Sequence, residues 1–580
     1  MTIIIYSNKT WQVALKKTIA VLLLILGTAY FYIITLPPAF KSDDSPETIT
    51  DCFRLGIQHA PGYPLYTMAG KVMTLLPLGS AAFRVNLTSL LFTMILLFVS
   101  FLITGYLGSR DTDAGAAPGR SLPMWFWGII LTGISYLIWN QGIEAKGGIY
   151  ALNLLLTAVV IYSSLRLPDA PGHRYLYLMV FAFCLSLANQ WPSAIITGPI
   201  VLYKLVSARS DIGPKRAGLL LMILLTGLSP YLYLFIRMPQ TGSAPVNFLW
   251  YIIRGPYLAG LINSPNLVKQ VLPAAREIFT DISFLIAFMV PGLVFLYRRS
   301  RKAFYILLYV MSADLAAAAV YNAFKSEPIY ILSTFLLPAV YIAAIVSAAG
   351  IYYTLGLLRE KMRMICAAIT LLAVLFTGLS NFDRNNLGSD YLAYDYGRNI
   401  LKTMKAAPVL IAAGDINILP LYYLKLVEKE RPDLEVIAYS SLETPGGCGR
   451  IMSAHPGLKL VPGRMRGNID GIIRFFSGKK NIYTCGLAFG GMTLDGLLNG
   501  VNTRGNSGIF DLYSYRGLCG GYFTDIEGSA NIPARYWDAL RAASLEEYGK
   551  GNKTAAVKIF RKAEMFHYAG EAAGKPPVQD

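Results

Sequence analysis

The residues whose types suit chemistry gather near the start of the chain. Lys41-Ser42-Asp43-Asp44-Ser45-Pro46-Glu47 places three carboxylates within five residues, between two apolar stretches. Pro46 fits the first position of a helix, where a backbone N–H would have no partner anyway. Glu47 then lies in the first turn, and Asp44, three residues before it, can face the same site. One positioned carboxylate can take the proton of an attacking hydroxyl, an effect worth typically about 10²- to 10⁴-fold in rate. Asp43, Asp44 and Glu47 together can instead hold one hard divalent cation, Mg or Mn, through oxygen ligands. They can also cap an interfacial helix and do nothing more. Downstream comes Gly56-Ile57-Gln58-His59-Ala60-Pro61-Gly62-Tyr63-Pro64-Leu65-Tyr66. Its glycine and prolines fix a turn, and His59 within it either binds an anionic group or satisfies a buried carbonyl.

The elements that must position these residues are membrane helices. In 580 residues, 54% are hydrophobic and 15% charged, with a mean hydropathy of +0.46, which is too apolar for one soluble globule. Apolar runs long enough to cross a hydrocarbon core about 30 Å thick recur through the first two thirds and then stop. They predict about eleven helices near residues 18–38, 84–107, 123–142, 149–166, 175–189, 192–206, 217–237, 282–297, 303–323, 329–354 and 364–380. The first run follows Lys9, Lys16 and Lys17 but is too long for a signal-peptide core, so a retained helix is expected.

A net charge of +18 would point to nucleic acid in a soluble protein. Here many of the basic residues sit in alternate short loops: Arg110 and Arg120; Arg166 and Arg174; Lys204, Arg209, Lys215 and Arg216; Arg298 to Lys302; and Arg359, Lys361 and Arg363. The positive-inside rule makes that side cytoplasmic, together with the N-terminus. No nucleic-acid partner is expected. The first carboxylate loop, Glu144 with Lys146, Gln190 with Trp191, the long segment 238–281, and Lys325 with Glu327 then face outward, as does everything after the last span. Six cysteines form neither CxxC pairs nor His-Cys clusters, which argues against zinc; Cys184 and Cys366 read as core thiols, and a disulfide among Cys448, Cys485 and Cys519 stays open.

Beyond residue 380 the pattern changes to α/β. Residues 409–412 form an apolar strand ending in Gly414-Asp415, 418–429 have helical spacing, and 434–439 alternate as a second strand; 481–485 and 518–523 add further strand candidates. Asp415 and Asn417 sit where α/β sheets bind ligands, without the glycines of a phosphate cradle. Residues 542–564 read as two short amphipathic helices, either a tetratricopeptide-like hairpin or an ordinary cap. The domain plan is a transmembrane unit 1–380, an extracytoplasmic α/β domain 381–535 and a helical hairpin with tail 536–580.

The string DSPE, followed by LGIQHAPGYPLYTMAGKVMTLLPLGSAAFRVNLTSLLF, resembles a bacterial membrane family related to the animal transmembrane protein O-mannosyltransferases. That family carries an Asp-Ser-(Gly/Pro)-Glu signature before a His-Pro-Pro-Gly-x-Pro-Leu motif; Ala60 replaces its first proline here. Further matching strings occur at 145–153, 231–237, 381–384, 394–399, 414–424 and 431–433, so the likeness spans roughly residues 15–445. Two positions depart from it: Gly148 stands where many relatives have Glu, and Asn189-Gln190-Trp191 where relatives often have Asn-His.

What the resemblance implies is a GT-C architecture, a catalytic Asp in the first outward loop and a sugar donor linked to polyprenyl phosphate, in a multi-pass protein of a bacterial inner membrane. Such a donor leaves without protonation, so the chemistry needs a base and hardly an acid. Asp44 is then the base and Glu47 orients it or the acceptor, with Asp43 and His59 at the substrate. Arg237 and Arg254 flank the segment 238–281 and can clamp a phosphate with two prongs or snorkel to headgroups. Trp191, Trp250 and Tyr257 can stack on sugar faces or belong to an interfacial aromatic belt. The expected reaction moves a hexose, mannose among the candidates, to a hydroxyl of a protein or exported glycan. A transporter or flippase of lipid-linked sugars is the alternative, although the paired, interrupted halves of transporters are not seen. A scaffold that recruits partners through the tail is a third reading, and it leaves the carboxylates unexplained.

Overall fold

A computed structural model describes residues 8–109, 122–169, 173–238, 248–253, 276, 280–325, 334–489, 492–501, 507–516 and 531–572. The first helix, α1 (Asn8–Thr35), leaves Leu22, Leu23, Leu26 and Tyr30 more than half exposed, the surface a bilayer covers. Two short helices, α2 (Ser45–Arg54) and α3 (Pro64–Thr74), intervene before the long α4 (Ala81–Ser109). Then come α5 (Met124–Ile134), α6 (Tyr136–Gly142), α7 (Gly147–Arg166), α8 (Arg174–Ala194), α9 (Gly198–Ser207), α10 (Pro214–Leu228), α11 (Pro230–Arg237) and α12 (Phe248–Ile252). The helices Met289–Arg299, Arg301–Lys325, Leu337–Leu357 and Glu360–Asn385 complete the apolar part. Leu337–Leu357 is its centre, with Val340, Tyr341, Ile342, Ile345 and Val346 almost wholly buried.

The eleven apolar stretches fall mainly on helices; residues 36–38 follow the end of α1, and 329–333 lie outside the described residues. Seven described helical runs are long and apolar enough to span alone, or eight if α10 and α11, bent by 45°, form one. Polar residues and prolines break the remainder. Ser135 interrupts α5 and α6, and its hydroxyl accepts from the Ile138 amide at 3.3 Å to start the second piece. Pro230 opens α11 directly after Ser229.

The run Arg174–Ser207 doubles back on itself. His173 and Lys204, from its two ends, line one cavity, whereas a straight helix would hold them about 45 Å apart. The reversal begins at Gln190, whose φ of −150° and ψ of 86° leave the helix just before Pro192. A buried amide network holds the break. Asn153 donates to the Gln190 carbonyl at 2.7 Å, and Asn189 donates to the Ile149 carbonyl and to Asn153 Oδ1, both at 2.8 Å. Amide groups that pair with one another and with the freed carbonyls inside an apolar bundle help to make such a break tolerable.

The bundle therefore has two polar ends. One gathers the ends of α7 and α9 and the starts of α8, α10 and Arg301–Lys325, joined by the 3.0 Å contact of Arg216 Nη1 with His173 Nε2. The other gathers the α1–α2 connection, the turn before α7 and the Gln190 break.

After Glu360–Asn385, the helix Leu392–Thr403 leads into a five-stranded sheet ordered β2-β1-β3-β5-β4, with β1 (Pro408–Ala412), β2 (Glu435–Ala438), β3 (Asn481–Cys485), β4 (Met492–Asp495) and β5 (Leu498–Val501). The first three strands are parallel, and β1–β2 are joined through the helix Asp415–Leu426. β5 runs antiparallel to β3 and β4. The β4–β5 hairpin was not anticipated, although its two-residue loop, Gly496-Leu497, opens on the glycine such turns favour; Gly496 has a φ of +57°. The strand candidate 518–523 lies outside the described residues. The helices Asn531–Gly549 and Lys553–Ala572 pack together as a hairpin, with Ala556 and Ala563 buried and Ser544 Oγ donating to the Ala556 carbonyl at 2.8 Å. Phe40, just before the carboxylates, packs on Tyr394 and Tyr423 with ring centroids 5.8 and 5.0 Å away, so the sheet-bearing region rests on the first loop.

Gly292 and Gly350 allow one close helix crossing, because a Cβ on Gly292 would overlap the Val346 carbonyl and one on Gly350 the Phe288 carbonyl. Gly350→Val is expected to cost about 3 kcal/mol, the upper end of ordinary overpacking. A thermal unfolding scan in detergent checks this: an unshifted midpoint would show that the crossing can open at no cost.

Candidate active site

Asp44 occupies the N-cap of α2, and its carbonyl accepts from the Thr48 amide at 3.0 Å. Pro46 follows inside the first turn, as its missing N–H allows. The Asp43 carboxylate accepts from the Ser45 amide at 2.7 Å, which fixes the chain entering the helix. Gln58 then ties the two short helices together: it accepts from Thr48 and donates to Thr67, both at 2.9 Å, with no exposure of its own. The return turn needs left-handed backbone at Gly62 and Tyr63, with φ of +92° and +44°.

This turn carries His59 onto Glu47. One Glu47 oxygen accepts from the His59 amide at 2.9 Å, and the other lies 2.5 Å from Nδ1. On the far side of the ring, Nε2 is 3.1 Å from Lys146 Nζ, and that ammonium is 3.3 Å from Asp44 Oδ2. The partners assign the tautomer: an Nδ1–H donates to Glu47, while Nε2 accepts from the ammonium. The result is a continuous chain, Glu47–His59–Lys146–Asp44. Lys146 has only 9% of its side chain exposed, lies 4.6 Å above the Tyr63 ring and starts α7, whereas Asp44 is 36% exposed. A buried cation thus presents a carboxylate to an open surface. Lys146 also donates its amide to Ser45 Oγ at 3.3 Å, so α7 is seated on α2.

A second cluster lies beneath. Lys41 Nζ is 3.1 Å from Glu144 Oε2 and both are buried. Burial pushes Glu144 up to about 8; Lys41 opposes the shift, and a hydrogen bond with Asp43 adds to it. Burial likewise takes Asp390 up to about 7. Around neutrality, Lys41 is therefore charged among carboxyls that do not all carry charge. On the face of α2 below Glu47, burial and then the Glu47 charge push Asp51 up to about 8.

Asp43, Asp44, Glu47 and His59, expected at the site, come together there. Arg237 instead donates to the carbonyl of Arg54, at the other end of α2, roughly 15 Å along the helix from Asp44. Trp191 spends its indole N–H on the Ile252 carbonyl at 2.7 Å and so anchors α12. Arg254 and Tyr257 lie outside the described residues. The two departures from the family strings have structural causes. A side chain at Gly148 would overlap Ser89 Oγ and the Tyr66 hydroxyl, which hydrogen-bond each other at 2.8 Å. Asn189 and Gln190 belong to the network that holds the helix break.

In the sheet region, Asn417 is committed to Tyr396 and Arg535, at 2.8 and 2.9 Å, as an internal brace. Cys448 and Cys485 are buried free thiols, and Cys519 is not described. Three functional candidates escaped sequence reasoning: Lys41, Lys146 and Asp51. The spacing Asp44, Glu47, Asp51 on one helix face signals the last. The cations pair across about a hundred residues, and no local pattern reveals that.

Ligand atoms of Asp44, Glu47 and His59 all lie within 4.8 Å of one another, a donor set suited to a divalent metal. However, Lys146 Nζ already sits 3.3 Å from Asp44 and 3.1 Å from His59. A metal bound there would face an adjacent ammonium, so the residues as arranged do not fit one.

Comparison with known proteins gives a consistent likeness. The family model described as the protein O-mannosyl-transferase TMEM260 N-terminal domain matches residues 44–212, and TMEM260-associated domain 2 matches residues 393–446. Protein O-mannosyl-transferase TMEM260 of Mus musculus is 25% identical over 518 residues, covering 81% of this chain and 69% of the mouse protein. Its namesake in Dictyostelium discoideum is 23% identical over 499 residues, covering 74% of this chain and 58% of that protein. Among solved structures, apo ArnT from Cupriavidus metallidurans superposes with a TM-score of 0.53 at 11% identity, over 81% of this chain and 94% of ArnT.

The buried carboxyls give a signed pH dependence. An unfolded chain releases these protons near pH 4, whereas folded Glu144 and Asp51 hold theirs to about 8. Between those values the folded state binds more protons, so their contribution to stability falls as pH rises. The melting temperature is expected to drop from about pH 5 to about pH 8, and less steeply in Asp51→Asn. An identical slope in the variant would show that Asp51 is ionised throughout.

Proposed function

From a chain related to the TMEM260 proteins and built on the GT-C fold, we propose a membrane glycosyltransferase that moves a hexose from a polyprenyl-phosphate donor to a hydroxyl of a protein or exported glycan. Mannose is the sugar suggested by the relatives' names. The observation that carries this reading is the partly exposed Asp44 carboxylate held by a buried ammonium at 3.3 Å. It is an acceptor-only group at the surface of a membrane bundle, where a lipid carrier can bring an electrophilic carbon.

In this mechanism the acceptor oxygen attacks the anomeric carbon, the bond from that carbon to the phosphate oxygen breaks, and the acceptor proton passes to Asp44. The phosphate leaves as an anion and needs no acid. Lys146, between Asp44 and His59, neutralises negative charge as it accumulates. Glu47 acts through His59: it fixes the ring tautomer and turns Nε2 toward the ammonium. These are positioning roles, and no step passes through a divalent ion, because Lys146 supplies the cation. Asp43 and Arg237 hold the two ends of α2, through the Ser45 amide and the Arg54 carbonyl.

Purified protein in nanodiscs, given a synthetic polyprenyl-phosphate mannose and an acceptor peptide, tests the reading. Asp44→Asn is expected to lower kcat by about 10²- to 10⁴-fold with donor binding retained. Full turnover in that variant would remove Asp44 from the chemistry. Chelator is expected to leave the wild-type rate unchanged, and a rate abolished by chelator and restored by Mn would replace the ammonium with a metal.

A further inference from the structure

The other polar end of the bundle holds a cavity of about 980 Å³, lined by Leu167, Pro168, Ile200, Tyr203, Tyr305 and Ile306 among others. Lys204 and Lys302 enter it from α9 and from Arg301–Lys325. Lys204 is only 4% exposed. Among the described residues, neither lysine has a carboxylate within ion-pair distance; instead the two ammonium groups face each other. Two like charges in a mostly apolar hollow repel strongly, and an anion that bridges them removes that cost. His173 and Asp211 also border the cavity; Arg216 contacts His173 Nε2 at 3.0 Å, and Asp211 is exposed and accepts from Ser210. The surface beside the cavity is apolar and outward-facing, with Leu202, Tyr203, Val206 and Tyr305 each at least half exposed.

From this geometry we infer that the cavity binds the phosphate headgroup of an anionic membrane lipid, with Lys204 and Lys302 sharing the phosphate oxygens and the acyl chains lying over Leu202, Val206 and Tyr305. Basic pockets between helices at the positively charged end of a bundle are suited to such headgroups. The walls favour a lipid over a free anion, since a soluble phosphate would leave the apolar lining and the flanking surface uncovered. This site is separate from the carboxylates: it lies at the opposite polar end and takes a lipid that is not a sugar donor.

The test uses the full chain in nanodiscs of phosphatidylcholine alone or with phosphatidylglycerol. Wild-type protein is expected to melt several degrees higher with phosphatidylglycerol and to retain bound phosphatidylglycerol in native mass spectrometry. Lys302→Gln is expected to lose that gain and to hold at least tenfold less lipid, while melting no lower than wild type in phosphatidylcholine, because the repulsion is gone. Lys204→Met is expected to behave alike. Equal lipid gain in wild type and variants would overturn the site. A matching gain from inorganic phosphate added to phosphatidylcholine discs would overturn the lipid as its occupant.

Discussion

A single buried ammonium organises the end of the bundle that carries the carboxylate loop. Lys146 cannot be left unpaired at the start of a membrane helix, since an uncompensated charge there is costly. Its partners are drawn from separate places in the chain: Asp44 at the cap of α2, His59 in the return turn and the Tyr63 ring beside it. Satisfying that one charge fixes the entry of α7, the orientation of α2 and the tautomer of His59 together. The remaining acidic residues follow from the same crowding. With Lys146 committed to Asp44, Lys41 is placed to serve Glu144 below, whose carboxyl burial pushes up to about 8.

The arrangement suits a reaction with an asymmetric proton demand. Asp44 is exposed enough to meet a hydroxyl, yet its charge is held in place from behind. Glu47 is enclosed by both the main chain and the side chain of His59 and is poorly placed to take a proton from outside. Two carboxylates three residues apart thus acquire different roles from their surroundings alone.

Much of this was legible in the sequence. Apolar runs located the helices, because a bilayer imposes a minimum length on any crossing. Pro46 and the spacing of Asp44 and Glu47 located α2 and its acidic face. The positions of β1, β2 and β3 followed from short apolar runs. Hydropathy separated the runs on either side of Gln190 and Trp191, where the helix does break, but it could not show the breaks at Ser135 and Ser229, which interrupt helices without lowering the average much. It also could not show that Trp191 and Arg237 serve the main chain of α12 and α2, because an aromatic or basic residue at an interface looks the same whichever partner it finds. The pairing of Lys146 with Asp44 was hidden for a related reason: it depends on how helices cross, and charge spacing along one segment carries no such information.

The packing of Phe40 against Tyr394 and Tyr423 ties the sheet-bearing region mechanically to the carboxylate loop. These three rings form a clasp next to Lys41 and Asp43, so the rigidity of the carboxylate loop is inherited from a part of the chain that follows the last apolar helix. Drift in that distant region would register first as a shift of Asp43 and Lys41 against their partners, before it registered as unfolding.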